Sequence, residues 1–457
     1  MENLRILILA AGKSTRMKSK YAKVLHRAGG RALIEHSLSA ARNLSTDISV
    51  VVGHSADQVK ALVSEVTFVD QKEQLGTGHA VLAAREHFAG YAGDVLVMPG
   101  DVPLISAATL RAFVDFHHQG GFRASVLTAD IADPTGYGRI VRRNDNEIDS
   151  IVEHRDASPD VLRIHEINSS IYVFNAPTLF ESLAKTKNEN AQREYYLPDV
   201  VGILVAQKSK VGAFKVGSAE EIMGINTRQD LAALDRVMRR RKCESLMAEG
   251  VTIMDPETTY IDESVRIGAD TVIYPSVQIY GPTTIGEEST IHSFCRISNS
   301  KVGGRTVVLE GCIIVDTSVG EDVSVGPYAH LRMGTVVGDT AKVGNFVEIK
   351  KSSLGAGTKS MHLAYLGDAT IGKNVNVGAG VITCNYDGVN KHPTVIEDGA
   401  FVGTDSQLIA PVKIGKDAYV AAGSSITEDV PADSLAIARG RQVNKDGWVK
   451  DRKKKKL

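Results

Sequence analysis

Aliphatic residues recur at every sixth position between residues 261 and 426, and this period dominates the hydrophobic pattern of the chain. Steps of five and one interruption divide the series into the runs Ile261, Ile267, Ile273, Ile279, Ile285, Ile291 and Ile297; Val302, Val308 and Ile314; Val319, Val325, Leu331, Val337, Val343 and Ile349; and Ile396, Val402, Leu408, Ile414, Val420 and Ile426. Neither an α-helix nor a plain strand repeats at six residues, so the pattern requires short strands joined at regular corners. It predicts a parallel β-helix of hexapeptide repeats, with three faces per coil and an aliphatic interior.

Glycine directly follows the aliphatic residue in many of these repeats. The glycines at this position are Gly268, Gly286, Gly320, Gly326, Gly344, Gly372, Gly378, Gly403 and Gly415. A corner between two flat faces favours a residue without a Cβ atom, which supports the predicted β-helix. The flat faces of such a helix are natural surfaces for self-association.

The first 230 residues have a different pattern, in which apolar segments of strand length alternate with helical spacing. The predicted strands are residues 4–9, 48–52, 95–98 and 124–128, and helical stretches begin near residue 32 and cover residues 80–88 and 107–117. This alternation predicts a Rossmann-like α/β domain with a mostly parallel sheet. Its ligands should bind at the carboxyl ends of the strands.

A long helix is predicted to connect the two parts. Thr227 and Asp230 form a capping-box pattern, and apolar residues then follow at helical spacing up to Gly250. We therefore predict an α/β domain at residues 1–228, a linker helix at 229–249 and a β-helix domain at 250–457.

Composition narrows the functional classes. The chain has 457 residues and a formal net charge of −1, so we expect more than one domain and no nucleic-acid partner. The lysine run at residues 453–456 is typical of a solvated tail. The four cysteines have no metal-binding spacing and are expected to be free thiols in a reducing compartment. No apolar stretch predicts membrane insertion or a signal peptide, so we expect a cytoplasmic protein.

The loop after the first strand carries candidate phosphate-binding chemistry. Gly12-Lys13-Ser14-Thr15 imitates the end of a P-loop, but Leu7 stands where that motif needs its first glycine. The loop still offers backbone N–H groups together with Lys13 and Arg16, which suits the anionic phosphates of a nucleoside triphosphate. Taken alone, it is equally typical of a tight turn.

Further motifs make a family resemblance specific. They are Ala22-Lys23-Val24-Leu25, Gln71 and Gln74 before Leu75-Gly76-Thr77-Gly78-His79-Ala80, Gly100-Asp101-Val102-Pro103-Leu104, Gly136-Tyr137-Gly138-Arg139-Ile140, Ile151-Val152-Glu153-His154, Glu166-Ile167-Asn168, Gly224-Ile225-Asn226 and Cys384-Asn385-Tyr386-Asp387-Gly388. With the loop at residues 9–16 and the hexapeptide repeats, they resemble the bacterial bifunctional family of N-acetylglucosamine-1-phosphate uridylyltransferases and glucosamine-1-phosphate acetyltransferases. The resemblance covers almost the whole chain and implies a left-handed β-helix and a homotrimer.

The resemblance implies a first site that binds UTP and the sugar nucleotide. Its residues would be Leu9, Ala10, Ala11, Gly12, Arg16, Lys23, Gln71, Gln74, Gly76, Thr77, Pro99, Gly100, Asp101, Gly138, Glu153, Asn168 and Asn226. In this site Gln71, Gln74, Gly76 and Thr77 would recognise uracil; Gly138, Glu153 and Asn168 would bind the sugar; and Asp101 and Asn226 would ligate Mg²⁺. The sequence departs from the family at Ser169-Ser170, where Thr-Gly is usual, and at Pro99, where a larger residue is common.

A second site is implied where the repeats are interrupted, at residues 352–367 and 383–395. His362 lies in the first interruption, and histidine suits a general base near neutral pH, although a lone histidine is more often structural. The resemblance makes His362 the catalytic base. It assigns glucosamine 1-phosphate to Arg332, Lys350, Tyr365, Asn376 and Lys391, and acetyl-CoA to Ala379, Asn385, Tyr386, Thr404, Ala422 and Arg439. Met333, Met361 and Pro393 depart from the family pattern.

The implied function is synthesis of UDP-N-acetylglucosamine, a precursor of peptidoglycan and lipopolysaccharide, from acetyl-CoA, UTP and glucosamine 1-phosphate. One alternative is a nucleotidyltransferase whose β-helix only trimerises or regulates, and the presence of His362 with Asn385 and Tyr386 argues against it. Another alternative is a scaffold without activity, as in subunits of a eukaryotic translation-initiation exchange factor. The complete set of Arg16, Lys23, Asp101 and Asn226 argues against this scaffold.

Overall fold

The computed structural model describes residues 3–12, 15–190 and 193–454. The chain divides into two compact units, residues 1–238 and residues 239–457. Lys13 of the predicted phosphate loop and the last lysines of the tail, Lys455 and Lys456, lie outside the described residues. The predicted boundaries at residues 228 and 250 stay a prediction.

The first unit contains a nine-stranded main sheet and a separate two-stranded sheet within residues 27–32. Its strands are β1 (Leu4–Ala10), β2 (Arg27–Ala28), β3 (Arg31–Ala32), β4 (Ile48–Val52), β5 (Thr67–Asp70), β6 (Asp94–Pro99), β7 (Ala124–Asp130), β8 (Arg139–Arg142), β9 (Ile148–Val152), β10 (Glu166–Asn175) and β11 (Val211–Lys215). The main sheet has the order β11-β7-β10-β6-β1-β4-β5, and the β8–β9 hairpin joins it at β10. Along this order β10 runs antiparallel to its neighbours β6 and β7, and the other neighbouring pairs are parallel.

Helices cover both faces of this sheet in the manner of a Rossmann-like fold. They are α1 (Leu33–Arg42), α2 (Ala56–Leu62), α3 (Thr77–Ala83), α4 (Ala107–Gly120), α5 (Pro159–Leu162), α6 (Ala176–Leu183) and α7 (Asp199–Ala206), with 3₁₀ turns at Thr15–Met17, Lys23–Leu25, Arg85–Phe88 and Ala219–Ile222. Ile6, Leu7 and Ile8 of β1 are fully buried, so both faces of this central strand are covered. The helix predicted at residues 80–88 instead begins at Thr77 and ends at Ala83, and a 3₁₀ turn follows it.

The second unit is a left-handed parallel β-helix: the hexapeptide pattern predicts the parallel β-helix, and the family resemblance implies its hand. Its first face contains Thr252–Ile253, Val272–Ile273, Thr290–Ile291, Val307–Val308, Ser324–Val325, Lys342–Asn345, Lys359–His362, Asn376–Val377, Phe401–Val402, Tyr419–Val420 and Leu435–Ala436. Its second face contains Tyr260–Ile261, Gln278–Tyr280, Arg296–Ser298, Ile313–Val315, His330–Leu331, Glu348–Lys350, Tyr365–Gly367, Ile382–Cys384, Gln407–Ile409 and Ser425–Ile426. Its third face contains Arg266–Ile267, Thr284–Ile285, Lys301–Val302, Thr317–Val319, Thr335–Val337, Ser353–Leu354, Ala369–Ile371, Thr394–Ile396 and Val412–Ile414.

The aliphatic residues of the repeats stack as columns inside this helix. Every member of the four runs is buried. On the second face, for example, Ile279 pairs with Ile297, and Ile297 pairs with Ile314 in the next coil. The interior is therefore built by stacking coils, because one coil cannot bury its own apolar side chains.

The glycines that follow the aliphatic residues serve a different purpose from the one the sequence suggests. Of the nine, Gly326 alone has a positive φ; the others have ordinary backbone angles and lie against the next coil. A Cβ atom on Gly286 would lie 2.4 Å from the backbone N of Gly304, and one on Gly403 would lie 2.5 Å from the backbone N of Ala422. Glycine is needed there for close approach. Many of the positive-φ corners hold other residues, such as Phe294 and Tyr328.

Helix α8 (Arg228–Ala248) spans the division between the two units, and α9 (Trp448–Lys454) lies near the end of the chain. In the first unit, Leu234 of α8 is fully buried. In the second unit, Cys243 and Leu246 of α8 belong to the core of the β-helix. All four cysteines are free thiols. No helix among the described residues is long and apolar enough to cross a membrane.

Two candidate active sites

The first candidate site lies where β1 and β6 end side by side. Leu9 of β1 is in register with Pro99 of β6, and the N–H of Gly100 donates to the carbonyl of Leu9 at 2.9 Å. The loop at residues 10–12 and Asp101 therefore leave the same edge of the sheet, at the carboxyl ends of parallel strands. Open α/β sheets bind their ligands at this edge.

Two cations and two oxygen ligands from four segments of the chain meet at this edge. The Lys23 ammonium forms an ion pair with the Asp101 carboxylate and donates to Oδ1 of Asn226 at 3.4 Å. Arg16 donates to the same oxygen of Asn226 at 2.8 Å. The structure thus brings together Arg16, Lys23, Asp101 and Asn226, and leaves Asp101 mostly buried with 13% of its side chain exposed.

The start of α8 holds Asn226 in place. The Asp230 carboxylate accepts from the backbone N–H groups of Asn226 and Thr227, at 2.8 and 2.9 Å. In return, the Thr227 hydroxyl accepts from the N–H of Asp230 at 3.1 Å, which completes the predicted capping box. The helix start therefore fixes the backbone that presents the Asn226 side chain to Lys23.

The oxygen ligands at this edge suit a hard divalent cation. Among the described residues, no cluster of three His, Cys, Asp or Glu side chains could enclose a metal. Mg²⁺ needs no such cage, since it retains water ligands and binds one or two carboxylates together with substrate phosphates. Lys23 contacts both Asp101 and Asn226, so their oxygens are close enough to share one cation.

The residues predicted to recognise uracil form the neighbouring wall. Buried Gln71 donates through Nε2 to the carbonyl of Gly76 at 3.3 Å and lies 3.0 Å from Nδ1 of His79. A Cβ atom on Gly53 would lie 2.7 Å from the carbonyl of Ala11 and 2.9 Å from Nε2 of Gln74, which places Gln74 beside the loop after β1.

Gly76 and Thr77 at the start of α3 are held against the chain around Tyr195. Gly76 has φ = 106°, and a Cβ atom there would lie 2.6 Å from the carbonyl of Tyr195. The Thr77 hydroxyl accepts from the N–H of Leu197 at 3.1 Å. Both features fix the backbone at the N-terminus of this short helix.

The three residues predicted to bind the sugar also lie together. The N–H of Asn168 donates to the carbonyl of Gly138 at 2.9 Å. A Cβ atom on Gly138 would lie 3.1 Å from a carboxylate oxygen of Glu153. Burial raises the pKa of Glu153, and the Asp156 and Asp199 carboxylates raise it further. This carboxyl group is thus partly buried beside Gly138.

Tyr137 connects these residues to the cation cluster. Burial raises the pKa of its hydroxyl, and the Asp230 and Asp101 carboxylates raise it further while Arg16 opposes them. Tyr137 directly precedes Gly138, so the residues predicted to bind the sugar lie next to the edge that carries Asp101. The two groups of predicted residues therefore form one site.

Arg139 was not among the predicted site residues. Its side chain is almost fully buried, donates to the carbonyl of Tyr137 at 2.5 Å and lies 3.4 Å from Nδ1 of His154. Its Nε has no hydrogen-bond partner among the described residues. Arg139 therefore links the carbonyl before Gly138 to the side chain that follows Glu153. The sequence does not show that an arginine at this position is buried.

The second candidate site lies on the second face of the β-helix and at the corner that follows it. An inserted loop, residues 385–393, follows the strand Ile382–Cys384 and carries Lys391. It brings the Lys391 ammonium beside that of Lys350, and this neighbour lowers the pKa of Lys350. Arg332 donates to Glu348 at 2.6 Å in the adjoining coil. Three cations close together suit a dianionic phosphate.

Tyr365 and Asn385 adjoin these cations. A Cβ atom on Gly367 would lie 2.4 Å from the Tyr365 hydroxyl and 2.8 Å from Nδ2 of Asn385. Asn385 also donates to the Asp368 carboxylate at 2.5 Å. The structure therefore gathers Arg332, Lys350, Tyr365, Asn385 and Lys391 at one place.

His362 lies at the opposite edge of this face, at the corner between the first and second faces, which we call the first corner. His362 is exposed, and its Nδ1 lies 2.7 Å from Oδ1 of Asn345 in the coil before. Ala379, Thr404 and Ala422 occupy the equivalent position in later coils, and Arg439 donates to the carbonyl of Ala422 at 2.7 Å. The residues predicted for acetyl-CoA thus continue the column that contains His362.

Of the remaining predicted residues, Asn376 lies on the neighbouring face, whereas Tyr386 pairs with Lys391 in an isolated β-bridge. Asn376 belongs to the first face, between Lys359 and Phe401. Tyr386 is exposed, and its hydroxyl donates to the carbonyl of Gly388 in its own loop at 2.6 Å. Their roles stay predictions, as do those of the other site residues.

Asn345 and Asp368 were missed at the second site, although the sequence contains a signal for both. Asn345 precedes His362 by 17 residues, and Asp368 precedes Asn385 by the same number. This is the length of one coil, so counting one coil back from a candidate residue finds its neighbour in a β-helix.

Both units of the chain match models of known protein families. Residues 6–192 match the family model of the MobA-like NTP transferase domain, residues 254–359 match that of the GMPPB C-terminal domain, and residues 393–428 match that of the bacterial transferase hexapeptide (six repeats). The solved structure of a UDP-glucose pyrophosphorylase complexed with UDP-glucose aligns with a TM-score of 0.43 at 17% identity, over 53% of this chain and 100% of that one.

Three relatives match the chain over 97% or more of its length, and each is called bifunctional protein GlmU. One from Shouchella clausii is 51% identical and covers 97% of this chain and 98% of its own. One from Pelobacter propionicus is 48% identical over 100% of both chains, and one from Listeria monocytogenes is 49% identical over 97% of both. Because such identity extends through both units, the chain belongs to the family of bifunctional GlmU proteins.

Proposed function

We propose that the two units catalyse consecutive steps in the synthesis of UDP-N-acetylglucosamine. The second unit transfers the acetyl group of acetyl-CoA to the amine of glucosamine 1-phosphate. The first unit transfers UMP from UTP to the resulting N-acetylglucosamine 1-phosphate and releases pyrophosphate. Membership of a family named bifunctional and the presence of one polar site in each unit support this proposal.

The meeting of Lys23 with Asp101 and Asn226 is the observation that supports uridylyl transfer. A phosphate oxygen of the sugar attacks the α-phosphorus of UTP, and the bond from that phosphorus to the pyrophosphate oxygen breaks. The attacking phosphate is already an anion, so the step needs no general base. Arg16 and Lys23 instead hold the two anions in line and offset the charge that develops on pyrophosphate.

Asp101 and Asn226 would hold Mg²⁺ once the nucleotide phosphates complete its ligands. When bound, the ion supplies positive charge against the phosphates of UTP. The ion pair with Asp101 then has to open, which leaves Lys23 available to the phosphates.

Asp101→Ala tests the first half of the proposal. Uridylyl transfer should be lost and acetyl transfer kept, because the change removes a carboxylate from the first unit only. The measurement is a pair of separate assays, one from N-acetylglucosamine 1-phosphate and UTP and one from glucosamine 1-phosphate and acetyl-CoA. Normal uridylyl transfer in this variant would contradict the assignment.

The paired lysines at the corner after the second face support acetyl transfer to a sugar phosphate. Lys350 and Lys391 lie side by side, with Arg332 in the next coil back, and a phosphate group would relieve their mutual repulsion. The amine of the sugar attacks the thioester carbonyl, His362 takes the proton that the nitrogen releases, and the carbon–sulfur bond breaks to release CoA.

His362→Ala tests this second half. Acetyl transfer should fall by about 10²- to 10⁴-fold, the usual contribution of a positioned general base. The loss should shrink at higher pH, where more of the substrate amine is already unprotonated. Uridylyl transfer is the internal control, and a variant with normal acetyl transfer at pH 7 would remove His362 as the base.

The functional form is proposed to be a homotrimer. An apolar ridge runs along the first corner, where Phe294, Tyr328, Phe346 and Leu363 are 71%, 57%, 56% and 62% exposed. The ridge passes directly beside His362. Another copy of the chain would bury it and could bring a second set of phosphate-binding cations towards that histidine.

Phe294→Glu tests the trimer away from both sites. The charge should weaken self-association, which sedimentation velocity measures as a shift towards smaller species. Tyr419→Glu, on an exposed aromatic residue of the first face outside the ridge, is the matched control. Equal sedimentation of both variants and the parent chain would contradict the ridge as the interface.

A further inference from the structure

The β-helix is locally altered at the coil that carries His362. Its strands have two or three residues, except Lys342–Asn345 and Lys359–His362, which have four each within the described residues. These two strands are neighbours on the first face, and Asn345 is in register with His362. The extra length carries the pairing into the first corner, where side chains point to solvent.

Gly344 permits this pairing. A Cβ atom at Gly344 would lie 1.8 Å from the carbonyl oxygen of Met361, well inside van der Waals contact. The backbone of one coil therefore rests directly on the backbone of the other, one residue before Asn345 and His362. A side chain at position 344 would push the coils apart where these two residues meet.

The contact between His362 and Asn345 determines which nitrogen of the neutral imidazole ring carries the proton. His362 Nδ1 lies 2.7 Å from Oδ1 of Asn345. The amide oxygen can only accept a hydrogen bond, so with Oδ1 facing the ring this contact is a hydrogen bond when Nδ1 carries the proton in neutral His362. The lone pair is then on Nε2, at the other side of the ring.

Backbone hydrogen bonds join the segment that follows His362 to the coil before it and to the coil after it. The N–H of Leu363 donates to the carbonyl of Asn345 at 3.0 Å, and the N–H of Gly380 donates to the carbonyl of Leu363 at 3.1 Å. Asn345 therefore contacts the His362 segment through its backbone and its side chain. This arrangement restricts the orientation of the ring on an otherwise exposed corner.

We propose that Asn345 is a positioning residue for acetyl transfer, which fixes His362 as the Nδ1–H tautomer and leaves Nε2 to accept the proton from the substrate amine. The inference rests on the proposed role of His362 as the base. Asn345 itself need not touch the substrate. Its uncharged amide fixes the tautomer without adding a negative charge beside the ring.

Asn345→Ala and Asn345→Asp in the full-length chain test this inference. The alanine variant loses the acceptor, so kcat for acetyl transfer should fall about 10- to 100-fold, while KM for acetyl-CoA and glucosamine 1-phosphate changes little. The aspartate variant keeps an oxygen at the same place and should retain the Nδ1–H tautomer. Asn299→Ala, at a corner between the second and third faces, is the control for loss of a corner asparagine.

Tautomers are measured by ¹⁵N NMR of histidine-labelled protein, with the His362 signals assigned by their absence in His362→Ala. The parent chain and the aspartate variant should show protonated Nδ1, and the alanine variant should shift towards protonated Nε2. An alanine variant with the parent tautomer or the parent kcat overturns the inference. Full acetyl transfer in His362→Ala would instead overturn the proposed function, so the two failures are distinguishable.

Discussion

Ser170 has a backbone conformation that favours glycine, with φ = 63°. It lies in the bulge of β10 where the register shifts between Asn168 and Tyr172. A side chain in the left-handed region costs on the order of 1 kcal/mol or more. We expect Ser170→Gly to raise the free energy of unfolding of the first unit by about 1 kcal/mol, measured by urea denaturation.

Ser169→Gly is the control for Ser170→Gly, and it should change stability in the opposite direction. The Ser169 hydroxyl is buried, donates to the carbonyl of Leu127 at 2.6 Å and accepts from the N–H of Ile171 at 3.2 Å. Its removal should lower stability by about 1 kcal/mol or more, because buried polar groups lose their partner. A stabilising effect at both positions would show that the bulge as a whole, and not the φ of Ser170, causes the strain.

We expect ionised Glu153 to lower the stability of the folded chain and to contribute to sugar binding. Burial raises the pKa of its carboxyl group above the unfolded value, so the ionised form destabilises the folded chain at neutral pH. Glu153→Gln should therefore raise the melting temperature at pH 7.5 and raise KM for N-acetylglucosamine 1-phosphate. The stability difference should fade as pH falls through the raised pKa towards 4, where Glu153 is protonated in both states. A difference that persists unchanged at low pH would contradict this cause.

At the scale of elements, the conformation of the inserted loop depends on the carboxylate of Asp387. Asp387 accepts from the N–H groups of Val389 and Asn390, at 2.7 and 2.6 Å, and from His392 at 2.7 Å. These hydrogen bonds, from Asn390 first, lower the pKa of Asp387 to about 2. The ionised form therefore holds the loop at all pH values above about 4, and this support is lost as pH falls towards 2.

Asp387→Ala should displace Lys391, which the loop carries to Lys350. We expect KM for glucosamine 1-phosphate in acetyl transfer to rise several-fold at pH 7.5. KM for acetyl-CoA and the rate of uridylyl transfer should stay near those of the parent chain. Steady-state kinetics of both reactions measure this. An equal loss of both activities would indicate a folding defect.

The elements of this fold differ in how far the sequence predicts them. The six-residue period predicts the β-helix because the interior accepts any aliphatic side chain that keeps the spacing, and every predicted position is buried. Residues at the first corner, such as Asn345, are not part of the aliphatic period, and the sequence marks them only through their spacing of one coil from a candidate residue such as His362. Their neighbours depend on the length of a coil, which changes from 17 to 18 residues where the spacing shifts.

The role of the corner glycines shows a second limit. Their occurrence after the aliphatic residue is visible in the sequence, but their cause is contact with the next coil. A sequence pattern does not distinguish close approach from a positive φ. Arg139 illustrates the same limit in the first unit, since its burial depends on the β8–β9 hairpin folding against β10.

At the scale of the whole molecule, the two activities should separate when the chain is divided within α8. Leu234 is fully buried with Met17, Leu33 and Leu104 in the first unit. We expect a fragment of residues 1–238 to retain uridylyl transfer. A fragment of residues 1–228 lacks Leu234 and should lose about 2–5 kcal/mol of stability. Denaturation curves and assays of both fragments measure the difference.

The stability of fragments of the second unit should likewise depend on whether they include the end of α8. Cys243 and Leu246 of α8 are buried in the core of the β-helix with Val251. A fragment of residues 239–457 keeps these two side chains over the first coil, and a fragment of residues 250–457 lacks them. The shorter fragment should unfold at lower temperature and associate more readily. Equal melting temperatures would show that α8 contributes nothing to this end.

Strand pairing in the β-helix joins segments that are close in the chain, for example Lys301 with Ser318 and Asn376 with Phe401. The first unit differs, because Leu96 of β6 pairs with Val173 of β10. Contact order is therefore low in the second unit and higher in the first, and low contact order favours fast folding. During synthesis on the ribosome, each new coil can therefore pair with the preceding coil soon after it emerges. The central sheet of the first unit cannot be completed until β10 has been synthesised.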